Sequence, residues 1–201
     1  MIIGLEGVSC VGKTTLAAAL SARLPATSVA CYYHAAPDLS WLPEPAAATA
    51  AQQVDNLAML MRIEALRRAS VLAALAQGHD VILDRTVDTL LAHAHAVGRL
   101  HGFDCDDQAR AVVLAHPRVV PDITLLLHAD PAEVTARAAR RIGMPTIFYA
   151  PEFTAHFHDY FARPLAPRCV RLDSTRGPDE VAERAVAVLA GHRLVEERTA
   201  A

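Results

Sequence analysis

The chain has 201 residues, of which 53% are hydrophobic, 20% are charged and 5% are aromatic, and its formal net charge is −3 at pH 7. This length suits one domain with a sizeable buried core, and the charge offers no basic surface for a nucleic acid polymer or an anionic membrane. The first residues carry no basic leader, and no apolar run reaches about 18 residues. The composition therefore predicts a single cytoplasmic domain spanning residues 1–201.

The predicted elements alternate between short apolar runs and longer amphipathic stretches. Strands are predicted, in chain order, for residues 1–6, 28–34, 80–84, 122–128 and 168–173. Helices are predicted for residues 14–24, 49–77, 86–101 and 104–116, from Asp130-Pro131 to a break at Gly143 and Pro145, for residues 151–163, and from Pro178 to about Ala190. Such alternation favours an α/β protein with an open, mostly parallel sheet of about five strands and helices on both faces.

The longest predicted helix and the irregular segments have particular compositions. Residues 49–77 carry an apolar stripe, which consists of Leu57, Leu60, Met61, Leu66, Leu72 and Leu75. Residues 35–48 contain three prolines and the only tryptophan, which predicts a surface loop. The tail from Gly191 is polar, and we expect it to fray.

A phosphate-binding loop is the strongest motif in the chain. The segment Gly7-Val8-Ser9-Cys10-Val11-Gly12-Lys13-Thr14 matches G-x-x-x-x-G-K-[ST] and lies between the first predicted strand and helix. In such a loop, backbone N–H groups and the helix N-terminus point at phosphates. The lysine reaches the β- and γ-phosphates of ATP, and the threonine hydroxyl binds Mg²⁺. We therefore predict that this loop, together with Thr15, binds ATP and Mg²⁺.

Lys13 is the only lysine among the 19 lysine and arginine residues. A compact ammonium on a flexible stem can follow a moving phosphoryl group, whereas a guanidinium is planar and larger. A Schiff-base lysine elsewhere, the strand lysine of a protein kinase and the N-K-x-D motif of a GTPase are all excluded. A kinase of small molecules or nucleotides and an ATP-driven regulator remain.

Asp84 and Arg85 follow directly after the predicted strand DVILD. In an open α/β sheet, ligands bind outside the carboxyl ends of the strands, so both side chains should face the phosphate loop. A carboxylate there is suited to hold Mg²⁺ through water, and an arginine is suited to clamp the 5′ end of an acceptor. This pair favours phosphoryl transfer over simple nucleotide binding.

Several segments resemble P-loop kinases of the thymidylate kinase and deoxynucleoside kinase group. They are IIGLEGVSCVGKTTLAAAL, QGHDVILDRTVDTLLAHA, and LLLHADPAEVTARAARR with PEFTAHFHDYFARPLA. A weaker similarity lies in LDSTRGPDEVAERAVAVL, where the family's strand-to-helix loop packs by the adenine. The resemblance is weakest over residues 34–56. It implies a three-layer P-loop NTPase fold, an ATP- and Mg²⁺-dependent kinase, and an arginine-bearing lid at about residues 137–152.

The resemblance also implies roles for individual residues. Lys13 and Thr14 would serve the donor phosphates and Mg²⁺, while Asp84 and Arg85 would lie at the metal and the acceptor. Three lid arginines would supply positive charge to the transferring phosphoryl group, and the loop after the last strand would pack by the adenine. These residues are Arg137, Arg140 and Arg141 in the lid and Thr175 and Arg176 in the loop.

On the acceptor side, the resemblance implies one arginine in the long helix and one histidine in the helix after Arg85. The arginine aligns with Arg62, or with Arg67 or Arg68 if the alignment is displaced. The histidine is His93 or His95. Members of the group are commonly homodimers, and apolar helices such as residues 54–75 could supply an interface.

Glu6 separates two kinds of acceptor. In nucleoside kinases the matching glutamate is the general base for a 5′-hydroxyl, whereas an acceptor that already carries phosphate needs no base. With such an acceptor, Glu6 would order metal-bound water or bond Arg85. The Arg-Glu-Pro-Gly segment of thymidylate kinases is absent and Thr86 replaces a tyrosine, so dTMP is not assigned. We favour a nucleoside monophosphate; the alternatives are a nucleoside or small-metabolite hydroxyl with Glu6 as the base, and an ATP-binding regulator.

Overall fold

Five short strands form one sheet in the computed structural model, which describes residues 1–141 and 145–200, with side chains to residue 195. The strands are β1 (Ile2–Glu6), β2 (Ala26–Val29), β3 (Asp80–Asp84), β4 (Ile123–His128) and β5 (Cys169–Asp173). They lie in the order β2-β3-β1-β4-β5, and all neighbours are parallel. The predicted α/β class and parallel sheet of about five strands are confirmed.

Eight α-helices connect these strands in the described ranges. They are α1 (Lys13–Ser21), α2 (Tyr32–Ala35), α3 (Ala50–Ala76), α4 (Val87–His101), α5 (Asp106–Ala115), α6 (Pro131–Ala138), α7 (Pro151–Tyr160) and α8 (Pro178–Ala200). Helix α1 packs on α8, α4 packs on α7, and α3 packs on α5. Within residues 1–141 and 145–200, no helix has the length and apolarity needed to cross a membrane.

The three central strands bury both faces and bring their polar ends to one edge. Ile3, Leu5, Ile82 and Leu125 are completely buried, as expected for strands that are covered by helices on both sides. Because β1, β3 and β4 are parallel, their carboxyl ends meet at the same edge of the sheet. That edge holds the phosphate loop after β1 and the Asp84-Arg85 pair after β3.

The predicted position of the second strand, residues 28–34, is wrong in its second half. Strand β2 pairs with β3 from Ala26 opposite Asp80 to Val29 opposite Leu83, and then the ladder runs out because β3 ends at Asp84. The chain instead forms the short helix α2, in which Tyr32 is buried. Its hydroxyl donates to Glu64 Oε2 (2.8 Å), a buried contact that the β-branched and aromatic composition did not reveal.

The apolar stripe predicted for α3 is only partly buried. Leu57 and Met61 lie in the core, but Leu66 and Leu72 are 43% and 49% exposed. The buried face includes the polar residues Glu64 and Arg67, which pair with each other at 2.9 Å. The inward face of α3 therefore contains a buried ion pair, whereas the predicted stripe consists of apolar residues only.

The predicted fraying from Gly191 is also wrong, because α8 continues to Ala200. His192 is 6% exposed, and its Nδ1 lies 3.0 Å from Nη1 of Arg168, just before β5. This contact anchors the helix beyond Gly191 to the edge of the sheet. The predicted helix break at Gly143 falls outside the described residues, and α6 itself ends at Ala138.

Candidate active site

The phosphate loop connects β1 to α1, as predicted, and its backbone requires glycine at two positions. Gly7 and Gly12 have φ angles of 132° and 111°, a region in which L side chains are strained. A Cβ on Gly7 would lie 2.5 Å from the carbonyl oxygen of Leu127, closer than a non-bonded contact permits. The loop therefore bends tightly enough for its N–H groups to surround a phosphate.

The Lys13 side chain folds back over the loop that carries it. Its ammonium donates to the carbonyl oxygens of Gly7 (2.8 Å) and Val8 (2.7 Å), and the residue is 5% exposed. Burial, together with the nearby charge of Arg85, lowers the pKa of Lys13 to about 7. A phosphate that enters the loop would offer this ammonium a stronger, charge-assisted hydrogen bond than the two carbonyls do.

Asp84 and Thr14 join the end of β3 to the start of α1. The Thr14 hydroxyl donates to Asp84 Oδ2 (2.8 Å), whereas Oδ1 of the same carboxylate is buried and lacks a hydrogen-bond partner among the described residues. Hydroxyl and carboxylate oxygens are the ligands that Mg²⁺ takes alongside water and phosphate. Nowhere in residues 1–141 and 145–195 do three or more His, Cys, Asp or Glu side chains gather to hold a metal. The pair therefore fits a magnesium ion that phosphate oxygens help to hold.

Arg85 leaves β3 in a strained backbone conformation. Its φ angle is 71°, and a non-glycine residue enters this left-handed region at a cost of about 1–3 kcal/mol. The turn directs the guanidinium toward the phosphate loop, where Nη1 lies 3.3 Å from the Gly7 carbonyl oxygen and Nη2 lies 3.2 Å from Ser9 Oγ. Asp84 and Arg85 therefore reach the same loop from one strand end, as the sequence predicted.

Arg67 is buried behind this turn, whereas the displaced alignment would place it at the acceptor. It is 2% exposed, and its Nη1 donates to Glu64 Oε2 (2.9 Å). Nη2 donates to the carbonyl oxygens of Asp84 (3.3 Å) and Arg85 (2.5 Å), and Nε donates to that of Ala30 (2.9 Å). Sequence reasoning missed this role; the one available signal was the i,i+3 spacing of Glu64 and Arg67 on a helix.

Glu6 is fully buried at the end of β1. Its Oε1 accepts hydrogen bonds from the N–H (2.7 Å) and hydroxyl (2.7 Å) of Thr86 and from the N–H of Thr89 (3.2 Å), and its Oε2 accepts the Thr89 hydroxyl. Burial raises the pKa of this carboxyl group. The four donors attach the first turn of α4 to β1. The bond to Arg85 that the sequence suggested is not among them, because Arg85 turns toward Gly7 and Ser9.

A cavity of about 340 Å³ opens beside the phosphate loop. Its polar lining comes from the loop, the start of α1, the arginines around α6 and the segment after β5; it comprises Cys10, Gly12, Thr15, Arg137, Arg141, Ser174 and Arg176. Arg137 spans this cavity, because its Nη1 donates to the Val11 carbonyl (3.2 Å) and its Nη2 to the Ser174 carbonyl (2.9 Å). The structure thus brings most of the predicted ATP-side residues together.

Outside the phosphate loop, two residues predicted for the ATP side do not line this cavity. Arg140 is exposed, as is Thr175, whose N–H donates to Asp173 Oδ1 (2.9 Å). The predicted lid comprises residues 137–152. Of these, the structure describes residues 137–141 and 145–152. C-terminal to that gap, the carbonyl oxygen of Phe148 accepts a hydrogen bond from the N–H of Ser9 (3.2 Å), so this part of the predicted lid segment contacts the phosphate loop.

Besides Arg85, two residues predicted for the acceptor side, Arg62 and His93, both contact the loop before α3. The Arg62 guanidinium lies over the Trp41 ring, 4.1 Å from its centroid. His93 Nε2 lies 2.8 Å from the Pro45 carbonyl oxygen, and its ring packs against Phe148 and Phe153. His95 instead lies 2.8 Å from Asp106 of α5, away from this loop.

Replacing His93 by glutamine should make folding stability less sensitive to acid. Burial lowers the pKa of His93 to about 4, whereas an unfolded histidine titrates near 6.5. Between these values the unfolded chain takes up a proton that the folded chain does not, so stability is present above pH 6.5 and falls as the pH falls toward 4. Urea unfolding at pH 7 and pH 5 should show a loss up to about 2 kcal/mol smaller in His93→Gln than in the wild type. Equal losses in both proteins would contradict a His93 that stays neutral in the folded chain at pH 5.

Comparison with other sequences identifies related proteins along most of the chain. The family model described as thymidylate kinase matches residues 5–185. The thymidylate kinase of Deinococcus radiodurans is 32% identical over 194 residues, which cover 90% of this chain and 92% of that protein. The thymidylate kinase of Chlorobium chlorochromatii is 31% identical over 165 residues, covering 75% of this chain and 69% of that protein.

Solved structures share the fold at lower sequence identity. The thymidylate kinase from Candida albicans superposes with a TM-score of 0.68 at 20% identity, covering 96% of this chain and 92% of that one. The thymidylate kinase from Ehrlichia chaffeensis gives a TM-score of 0.62 at 19% identity, covering 94% of this chain and 98% of that one. The three-layer arrangement predicted from the sequence is therefore one that solved kinases also adopt.

Proposed function

The chain belongs to the thymidylate kinase family, and we propose how its residues transfer the γ-phosphoryl group of ATP to a nucleoside monophosphate. Membership makes it an ATP-dependent nucleotide kinase, and we propose that it works in the cytoplasm. The observation that carries the residue assignment is the contact of Thr14 with Asp84 and of Arg85 with Gly7. These contacts join the phosphate loop to the end of β3, where donor and acceptor must meet.

The donor phosphates, in this proposal, lie in the loop of residues 7–14. Lys13 leaves the Gly7 and Val8 carbonyls for the β- and γ-phosphates and follows the γ-phosphoryl group as it moves. Thr14 and Asp84 would hold Mg²⁺, in keeping with Asp84 Oδ1, which lacks a hydrogen-bond partner among the described residues. When bound, the ion would supply positive charge next to the phosphate groups. The adenine occupies the cavity beside the loop, between Thr15 and the Arg176 segment, and Thr175 flanks it.

The arginines supply the remaining positive charge. Phosphoryl transfer depends mainly on positioning and electrostatic stabilisation, and a mobile arginine contributes about 10³–10⁵ in rate in related NTPases. We assign Arg137 and Arg141 to the donor side, because they line the cavity next to the loop. Arg140, which is exposed, would join them on lid closure. Arg85 binds the acceptor's 5′-phosphate opposite the donor.

The acceptor lies between the phosphate loop and the segment before α3. Arg62 and His93 both contact this segment, at Trp41 and Pro45, which supports their assignment to the acceptor side. A phosphate-bearing acceptor is an anionic nucleophile and needs no base, which agrees with a buried Glu6 whose oxygens already accept four hydrogen bonds.

The test is an acceptor panel, with ADP formation followed in the presence of ATP and Mg²⁺. The panel pairs each common nucleoside with its 5′-monophosphate, and dTMP is the first acceptor to try. We expect ADP formation to require one of the monophosphates and to cease when Mg²⁺ is chelated. Turnover with nucleosides alone would establish the hydroxyl kinase instead. A steady hydrolysis of ATP that no acceptor changes would favour the regulator without an acceptor.

Glu6→Gln should weaken folding more than catalysis. The amide would place an NH₂ group against the donors of Thr86 and Thr89, lowering the free energy of unfolding by about 1–3 kcal/mol. The kcat should fall by less than about tenfold, whereas loss of a general base costs about 10²–10⁴. Thr89→Val is the matched control, because it removes one of the same hydrogen bonds. A loss of 10² or more in Glu6→Gln alone would identify Glu6 as a base.

We also propose that two copies of the chain associate through α3. Its outer face carries the exposed Leu66 and Leu72 together with the exposed small residues Ala69 and Ala73, which permit close approach of a second helix. Light scattering after size exclusion should give a dimer for the wild type and a monomer for Leu72→Glu. Leu114→Glu, at a leucine of α5 that is 46% exposed, should remain dimeric. A wild-type monomer would contradict the proposal.

A further inference from the structure

The backbone of Arg85 is held by a buried side chain from another element. Nη2 of Arg67, on α3, donates to two carbonyl oxygens at the end of β3, those of Asp84 (3.3 Å) and Arg85 (2.5 Å). Its other nitrogens donate to Glu64 Oε2 and to the carbonyl of Ala30, the residue that follows β2. One guanidinium therefore connects α3, the residue after β2 and the end of β3.

The surroundings of Arg67 leave it little freedom. Its guanidinium carbon lies 4.2 Å from the centroid of the Tyr32 ring, and the Tyr32 hydroxyl donates to the same Glu64 oxygen that Arg67 binds. The other Glu64 oxygen accepts the N–H of Val119 (3.0 Å). A planar fork of donors that is fixed on several sides defines where its acceptors lie.

Among the hydrogen-bond acceptors of Arg67, the carbonyl oxygen of Arg85 bears most directly on the site. Arg85 has a φ of 71°, which a non-glycine residue keeps only when its surroundings enforce it. On the following residue, Glu6 holds the N–H and hydroxyl of Thr86. Arg67 therefore holds the carbonyl of Arg85, and Glu6 holds the next residue, Thr86. In this backbone conformation the Arg85 guanidinium points toward Gly7 and Ser9.

We propose that Arg67 is a positioning residue for phosphoryl transfer, which acts by holding Arg85 in its left-handed conformation. It touches neither donor nor acceptor. The proposal rests on the function proposed above, because it assumes that Arg85 binds the acceptor phosphate. Its structural half, that Arg67 determines the backbone of Arg85, does not depend on that assumption.

The test compares Arg67→Lys with Tyr32→Phe. A lysine keeps the charge for Glu64 but cannot reach the Ala30, Asp84 and Arg85 carbonyls together, whereas Tyr32→Phe removes a hydroxyl from the same buried cluster and leaves the turn untouched. Both should lower the Tm. Only Arg67→Lys should lower kcat, by about 10- to 100-fold, with the KM for ATP nearly unchanged. Equal kcat losses in the two variants, or wild-type kcat in a folded Arg67→Lys, would overturn the proposal.

A double-mutant cycle tests whether Arg67 acts through Arg85. In an Arg85→Ala background, Arg67→Lys should lower kcat by less than about threefold further, because the side chain that it positions is gone. The same large factor in both backgrounds would place its effect elsewhere. If Arg67→Lys does not fold, Glu64→Gln with Arg67→Gln removes the fork without leaving a buried unpaired charge, and the same outcomes apply.

A crystal structure of the Arg67→Lys variant separates failure of this proposal from failure of the proposed function. We expect Arg85 to leave the positive-φ region and its guanidinium to leave Gly7 and Ser9. An unchanged Arg85 would overturn the proposal whatever the activity. In contrast, a wild type without activity on any acceptor would overturn the proposed function. The Arg85 conformation in the Arg67→Lys structure would still test whether Arg67 determines that backbone.

Discussion

Lys13→Arg should abolish phosphoryl transfer almost completely, with kcat reduced by about 10³-fold, although the charge is preserved. The Lys13 ammonium lies between the Gly7 and Val8 carbonyls at 2.8 and 2.7 Å and is 5% exposed, so the cradle has room for one compact donor. A guanidinium is larger and flat, and it cannot turn with a phosphoryl group that moves from donor to acceptor. The measurement is the steady-state rate of ADP formation at saturating ATP, Mg²⁺ and acceptor.

Lys13→Met provides the control for that experiment. It removes the charge without adding bulk, so similar losses in both variants would show that a positive charge alone is not sufficient at this position. Thermal unfolding should show that both proteins remain folded. Since the chain contains no other lysine, no second lysine can substitute for Lys13. Full activity in Lys13→Arg would remove the centre of the proposed mechanism.

Asp84→Asn should lower kcat by about 10²-fold and raise the Mg²⁺ concentration that gives half-maximal activity. The carboxylate accepts the Thr14 hydroxyl on Oδ2, while Oδ1 is buried without a partner among the described residues. An amide can still accept the hydroxyl, but it loses the charge that draws a divalent cation. The expected change is therefore in metal dependence rather than in folding.

Asp173→Asn is the matched control, because Asp173 also ends a parallel strand but its carboxylate accepts from Thr175 instead of from a residue of the phosphate loop. Activity and Mg²⁺ dependence should both stay within about twofold of the wild type. Titrating Mg²⁺ at saturating ATP and acceptor measures both quantities. An Asp84→Asn enzyme with the wild-type Mg²⁺ curve would show that Asp84 does not serve the metal.

The central strands were predictable because their burial is visible in the sequence. The runs IIGLE, DVILD and ITLLLH are covered on both faces and therefore read as short continuous apolar segments. The predicted bounds of the edge strand β2 were wrong because its length depends on where β3 ends. The local sequence around β2 contains no information on that end. The exposure of Leu66 and Leu72 was missed for a similar reason, since the buried Glu64-Arg67 pair turns another face of α3 inward.

The residues of the candidate site also differ in how far the sequence predicts them. The phosphate loop is a contiguous motif whose chemistry follows from eight adjacent residues, so it could be recognised without a structure. The partners of Glu6 lie 80 and 83 residues away, and those of Arg67 include carbonyl oxygens, which no side-chain pattern reveals. Residues that bind substrate were thus easier to predict than the residues that hold them in place.

The strand order also determines when this molecule can fold during its own synthesis. The central strand β1 pairs on one side with Val81–Asp84 and on the other with Ile123–Leu126, so both neighbours are made long after it. At about 5–20 residues per second, a ribosome needs roughly 6–25 s to deliver the later partner. Throughout that interval an apolar strand with unpaired backbone groups is in need of protection. We therefore expect the nascent chain, rather than the finished enzyme, to be the species that depends on chaperones and is prone to aggregation.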